Sequence, residues 1–156
     1  MTSSDILDTC LCIQLKKSSY LIREDLTALL KELSKKAEEY KYLPTIGRSH
    51  GIHAEPTTVG LKFAQAYAEF DRALKRMEIA EKEISICSLS GSVGTFANID
   101  PRIEKYVAKK LSLNIETIST QIIPRDRFAY FFAVSYTHLR AHETGRNLVC
   151  RLLLEK

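Results

Sequence analysis

Between Phe63 and Cys87 the residues Phe63, Tyr67, Phe70, Leu74, Met77, Ala80, Ile84 and Cys87 recur in steps of three and four. Over about 25 residues that spacing holds one narrow apolar seam on a single helical face, with Lys, Arg and Glu outside it. Such a helix cannot bury itself. A single partner helix would leave much of the apolar surface wet, so the pattern predicts a multi-helix bundle completed by other subunits.

The remaining segments follow the same period. From Asp5 to about Tyr40, Ile6, Leu7, Cys10 and Leu11, then Leu26, Leu29, Leu30, Leu33, Ala37 and Tyr40, step by three and four until Pro44 closes the segment. Asp100 and Pro101 supply an N-cap and a first-turn proline for a helix running to about Leu111. A polar connection, Ser112 to Arg125, leads to a short helical pattern from Asp126 to Val134. Ser88 to Ile99 breaks the period, with Gly91 and Gly94 set among Ser90, Ser92 and Thr95. β-structure is sparse, and there are no repeats or low-complexity tracts. The fold class is therefore all-α, a long-helix bundle. The last segment, Ser135 to Lys156, carries His138, His142 and a Gly145 break and does not continue the preceding period, so it is read as a separate object.

Composition excludes more than it identifies. With 156 residues, 45% hydrophobic and 27% charged, the chain is long enough for one soluble domain with a core. The net charge is +4, and the basic residues alternate with Glu, as in Lys75-Arg76-Met77-Glu78 and Glu81-Lys82-Glu83. No basic stripe emerges, which argues against a nucleic-acid partner. No apolar run approaches a membrane span. Cys10, Cys12, Cys87 and Cys150 fit neither a disulfide framework nor a zinc spacing, because Cys-x-Cys on a helix points its thiols apart. Without a secretory signal they predict a reducing, cytoplasmic setting. Met1-Thr2-Ser3-Ser4-Asp5 enters the first helix almost at once, a beginning equally consistent with a chain cut from something larger.

Chemistry concentrates in Gly47-Arg48-Ser49-His50-Gly51-Ile52-His53-Ala54-Glu55-Pro56-Thr57-Thr58. The run places two imidazoles, a guanidinium, a carboxylate and three hydroxyls between two helical stretches. A histidine beside Ser49 and Arg48 suits proton transfer next to an anionic substrate, although a loop histidine flanked by glycine is often only structural. His50, His53 and Glu55 also have a spacing that a metal could use, but a Gly-interrupted turn is a poor scaffold for one. Gly91-Ser92-Val93-Gly94-Thr95 reads either as an anion cradle of backbone amides or as a helix-to-helix turn that needs glycine. Thr2-Ser3-Ser4-Asp5 reads either as a helix cap or as a carboxylate holder. Ser119-Thr120-Gln121 is weak alone.

Taken together and in this order, these segments resemble the adenylosuccinate lyases of the fumarase/aspartase superfamily. The matching pieces are Thr2-Ser3-Ser4-Asp5, Gly47 to Pro56, Gly91-Ser92-Val93-Gly94-Thr95-Phe96-Ala97-Asn98, and Ser119-Thr120-Gln121 with Arg125-Asp126-Arg127. Superfamily relatives usually carry Gln where His53 stands, and Ala54-Glu55-Pro56 is typical of adenylosuccinate lyases. Ser49 replaces the commoner Thr but keeps the hydroxyl. The resemblance covers residues 1–134 and implies part of the superfamily's central helical domain, with 135–156 unrelated to it and similar to a translated sequencing-adaptor tail.

The resemblance further implies β-elimination of fumarate from a succinyl-amino purine nucleotide, adenylosuccinate, and from the related carboxamide intermediate of purine biosynthesis. His50 would be the general acid. Thr2, Ser3 and Ser49 would hold the succinyl carboxylates, and Gln121 would position the substrate. No cofactor or metal is implied. The family is homotetrameric, with each site assembled from three subunits. Its N-terminal domain and its signature loop, which supplies a serine base, fall outside these residues, so the chain alone is expected to be inactive. Two other readings stand beside this one: a non-catalytic helical interaction module, and a metal-binding helical protein using His50, His53 and Glu55.

Overall fold

The computed structural model describes residues 1–139, so the segment read as separate lies, beyond Leu139, outside the described residues. Among the described residues the order is α1 (Ser3–Glu39), β1 (Pro44–Ser49), β2 (Ile52–Thr58), α2 (Val59–Ile84), β3 (Ile86–Cys87), α3 (Pro101–Leu111), β4 (Asn114–Ile115) and α4 (Arg125–Leu139). The helical segments lie where the apolar periods place them, and α4 runs on past Val134. The chain divides into two compact units, one formed by Met1–Leu21 with the segment from Arg76 onward, the other by Ile22–Lys75.

In the first unit, α2 delivers the half of its seam that is fully buried. Met77, Ala80 and Ile84 lose almost all solvent contact, and the chain continues through buried Ile86 and Cys87. A side chain the size of Met77 or Ile84 contributes about 1.5–3 kcal/mol when fully buried. Ile123, Phe128, Phe131 and Val134 add the apolar faces of the closing segment and α4. Asp100 caps α3 by accepting the Arg102 amide at 2.8 Å, with Pro101 in the first turn. Ser112 ends the helix in a left-handed conformation. The chain then adds β4 in parallel to β3, donating the Asn114 amide to the Ser85 carbonyl and the Glu116 amide to that of Cys87.

The start of α1 departs from the expected apolar face. Ile6 and Leu7 are 51% and 65% exposed, and Cys10 is exposed too. The buried stripe is instead Asp5, Asp8, Cys12, Leu15 and Ser19, spaced three, four, three and four. The helical period is as expected, but its phase is set by two carboxylates that have donors to satisfy rather than by the leucines.

In the second unit, Leu26, Leu30 and Ala73 are buried, and the Tyr40 and Phe63 rings stack at 6.1 Å. The seam is looser here: Phe63, Phe70 and Leu74 are half-buried and Tyr67 is 38% exposed. The connection between the helices is not irregular but an antiparallel hairpin of β1 and β2. Pro44 and Pro56 disfavour helix, Thr45, Ile46, Thr57 and Thr58 favour extended backbone, and His50-Gly51 forms the turn. Amides of Val59 and Gly60 tie the base of the hairpin to the Leu43 and Tyr40 carbonyls.

Candidate active site

The pairing of Ser49 with Ile52 leaves only His50 and Gly51 at the hairpin tip. A two-residue turn that follows the twist of its strands needs positive φ at both central positions. His50 has φ 50° and Gly51 φ 80°. Glycine adopts that region freely, whereas a residue with a Cβ does so at a steric cost. His50 thus occupies the place where Asn is the favoured residue, with its imidazole exposed. Ser49 lies exposed beside it, and Arg48 sits directly across the ladder from His53. An exposed imidazole on a two-residue tip is free to reach a ligand while its backbone is fixed.

A different arrangement occupies the first unit, around the start of α1. Asp5, 2% exposed, accepts the Thr2 amide on one carboxylate oxygen at 2.7 Å and the Gly91 amide on the other at 3.3 Å. One turn later Asp8 accepts the Ile123 amide at 3.0 Å on one oxygen and the Arg125 guanidinium at 3.0 Å on the other. Beneath them the Ser88 and Ser90 hydroxyls lie 2.6 and 3.0 Å from that of Ser119. Glu104, also buried, accepts the Leu89 amide at 2.8 Å. Gly94, at φ 79°, backs directly onto the Ser119 carbonyl, where any Cβ would collide.

Thr2 immediately precedes α1 and Asp5 is its third residue, the two positions of a capping box. Only half of the box is made. Asp5 takes the Thr2 amide, while the Thr2 hydroxyl is buried without a hydrogen-bond partner. A buried hydroxyl left this way is costly unless something else completes it. It therefore retains the capacity to bond a ligand oxygen. Ser3 and Gln121 are both exposed.

The residues singled out from sequence thus fall into two groups. Ser49 and His50 share the hairpin tip in one unit. Thr2, Ser3, the Gly91–Thr95 loop and Ser119–Gln121 converge on the start of α1 in the other. His50, His53 and Glu55 do not gather into a three-ligand cluster, and none of His, Cys, Asp and Glu forms one among the described residues. Sequence reasoning missed Asp8, Ser88, Ser90 and Glu104. The three-and-four spacing of Asp5, Asp8, Cys12, Leu15 and Ser19 was the signal available, and it is visible only if carboxylates are admitted to a buried stripe.

Burial pushes the Cys12 thiol up to about 12, with the Asp8 carboxylate adding to the effect, and burial with Glu104 pushes Cys87 up to about 11. Neither is a nucleophile near neutral pH. Arg127 is held charged by Glu83 and Glu116, each at 2.7 Å, and Arg125 is engaged by Asp8. Both guanidiniums of the Arg125-Asp126-Arg127 segment are thus anchored to acidic partners inside the unit.

Residues 1–140 match a family described as Lyase. The chain is 47% identical over 133 residues to an adenylosuccinate lyase from Staphylococcus saprophyticus, an alignment covering 85% of this chain and 31% of that protein. Among solved structures it superposes on a fumarate lyase from Mesorhizobium sp. BNC1 with a TM-score of 0.79 and 30% identity, covering 85% of this chain and 32% of the other. A 3-carboxy-cis,cis-muconate lactonizing enzyme from Pseudomonas putida gives a TM-score of 0.80 at 29% identity, with 85% and 31% covered. The chain therefore spans about a third of the length of these relatives. By family match and fold, it belongs to the lyase family and carries a helical portion of the fumarase/aspartase superfamily fold.

Proposed function

We propose that this chain supplies the acid and part of the carboxylate-binding surface of an adenylosuccinate lyase, which releases fumarate from a succinyl-amino purine nucleotide and from the corresponding carboxamide. The observation that carries the reading is the hairpin tip, where His50 is kept in a left-handed backbone that Asn or Gly would adopt at lower cost. Residues held in such conformations cluster at functional sites.

In this reaction a base removes a proton from the carbon beside a succinyl carboxylate. The electron pair then forms the double bond of fumarate as the C–N bond breaks, and the departing nitrogen needs a proton. His50 provides it, since an imidazolium can donate its ring proton and the exposed tip can meet the leaving group. Ser49, Thr2 and Ser3 hold the carboxylates, with the unpartnered Thr2 hydroxyl giving a direct bond, and Gln121 positions the substrate. The base is contributed by a segment outside these residues. The exposed Ile6, Leu7, Tyr20, Leu21 and Tyr106 fit burial in a homotetramer.

Complementation tests this proposal. The chain is co-expressed with the Staphylococcus saprophyticus relative, inactivated at the residue aligned with His50, and fumarate release is followed. The parent chain restores release, the His50→Gln chain does not, and the chain alone releases none. Equal restoration by both chains removes His50 as the acid.

A further inference from the structure

We infer that Asp5 and Asp8 are positioning residues that set the geometry of the carboxylate-binding segments, an inference resting on the reading that Thr2, Ser3 and Gln121 contact substrate. The two residues are one helical turn apart, 2% and 7% exposed, and each gives its two carboxylate oxygens to two different donors, at least one of them in a segment distant in sequence. Asp5 joins Thr2 to the Gly91 loop. Asp8 joins Ile123 to Arg125, on the far side of Gln121. Every one of the four oxygens already accepts a bond from within the unit.

A core in need only of stability would bury apolar side chains at these positions, as α1 does at Cys12 and Leu15. Here the stripe gives up that burial for four directed bonds. Two of the four end on, or within two residues of, a residue that faces substrate in the proposed reaction: the Thr2 amide held by Asp5 and the Ile123 amide held by Asp8. Gln121 is fixed from both sides: Ser119 is held by Ser88 and Ser90, and the Ile123 amide by Asp8. Thr2 is fixed through its amide, which leaves its hydroxyl unengaged. The backbone is clamped while the side chains that meet substrate stay available, which is what preorganised binding requires.

Asn is the informative replacement because it keeps the shape of Asp but has one acceptor oxygen where two are used. In Asp5→Asn and Asp8→Asn one donor of each pair must lose its partner. The test uses the full chain, titrated with fumarate by NMR, with amide hydrogen exchange read at Gly91 and Ile123. A Met77→Ala chain serves as a destabilised control at a buried core position that takes no part in these hydrogen bonds.

Each Asn variant is expected to weaken fumarate binding about tenfold or more, the scale for a charged hydrogen bond, and Met77→Ala to change it by no more than about twofold. Exchange should accelerate at Gly91 in Asp5→Asn and at Ile123 in Asp8→Asn, each without the other. Fumarate affinities that fall no further in the Asn variants than in Met77→Ala would overturn the positioning role alone. A parent chain that binds no fumarate would overturn the carboxylate-site reading and the inference with it.

Discussion

The hairpin tip and the junction at the start of α1 both present functional groups from short connections, yet they fix them in opposite ways. At the tip, two strands and a two-residue turn impose a backbone conformation on His50, and its exposed side chain makes no hydrogen bond among the described residues. At the junction, the segments carrying Thr2 and Gln121 have little regular structure of their own, and buried carboxylates and hydroxyls hold them. One region is shaped by local backbone geometry and the other by long-range polar bonds. The two should therefore respond to substitution with different magnitudes and even different signs.

The largest contrast comes from Asp8→Ala. Removing this carboxylate leaves the buried Ile123 amide and the Arg125 guanidinium without their acceptor, a loss of about 2–3 kcal/mol. Arg125 is 54% exposed on its side chain and can turn to water, so most of that loss falls on the amide. Equilibrium urea unfolding would measure it. A loss below about 0.5 kcal/mol, the scale of an ordinary surface change, would mean that the junction is not held by its carboxylates.

The thiols beside that junction sharpen the contrast through pH. Cys12 and Cys87 stay protonated in the folded chain to about 12 and 11, above the value of 9.0 they have when solvated. Their contribution is fully present below pH 9. It is lost as pH rises from there, because the unfolded chain releases these protons first. The slope is at most about 1.4 kcal/mol per pH unit for each thiol. Urea midpoints taken from pH 8 to pH 11 should fall in the parent chain, and the fall should shrink in Cys12→Ala. At pH 8 a thiol reagent should modify exposed Cys10 and spare Cys12 and Cys87 until the chain unfolds.

Ser119→Ala is expected to have a smaller effect, about 1 kcal/mol. Its hydroxyl meets those of Ser88 and Ser90, which can still bond each other at 3.2 Å when it is gone. A loss as large as that of Asp8→Ala would place the weight of the junction on hydroxyls instead. Differential urea unfolding of the two variants decides between them.

The same division explains what could be read from the chain beforehand. Helical segments with a three-and-four apolar period, such as Met77, Ala80 and Ile84, were legible because burial acts on neighbours along one element. The caps at Asp100 and Pro101 were legible because capping is local. The Gly47–Thr58 run was legible as chemistry but not as a hairpin, since Arg48, Ser49, His53 and Glu55 give no alternating apolar face to mark its strands. The junction was least legible. Asp8 and Ile123 are 115 positions apart, and nothing in the residues near Asp8 announces that its partner is a backbone amide. A buried carboxylate and an exposed one look alike in sequence, while Ile6 and Leu7 beside it look like core and are not.

The smallest expected effect has the opposite sign and comes from the tip. His50 holds φ at 50°, where a Cβ crowds the following carbonyl at a cost of about 1 kcal/mol. Asn tolerates this region because its short amide bonds locally, and it loses no more chain freedom on folding than His does. His50→Asn should therefore stabilise the hairpin by about 0.5–1 kcal/mol while removing the imidazole. His50→Gly relieves the same strain but enlarges the freedom of the unfolded chain, so the two effects nearly cancel. His50→Val should destabilise, because a β-branched side chain is the one least suited to positive φ. Hydrogen exchange at the hairpin amides, in the order Asn slowest, Gly and His intermediate, Val fastest, would show that the tip is strained in favour of its imidazole. An unchanged rate across the four would mean that His50 occupies its turn at no cost, and the backbone argument for its role would be lost.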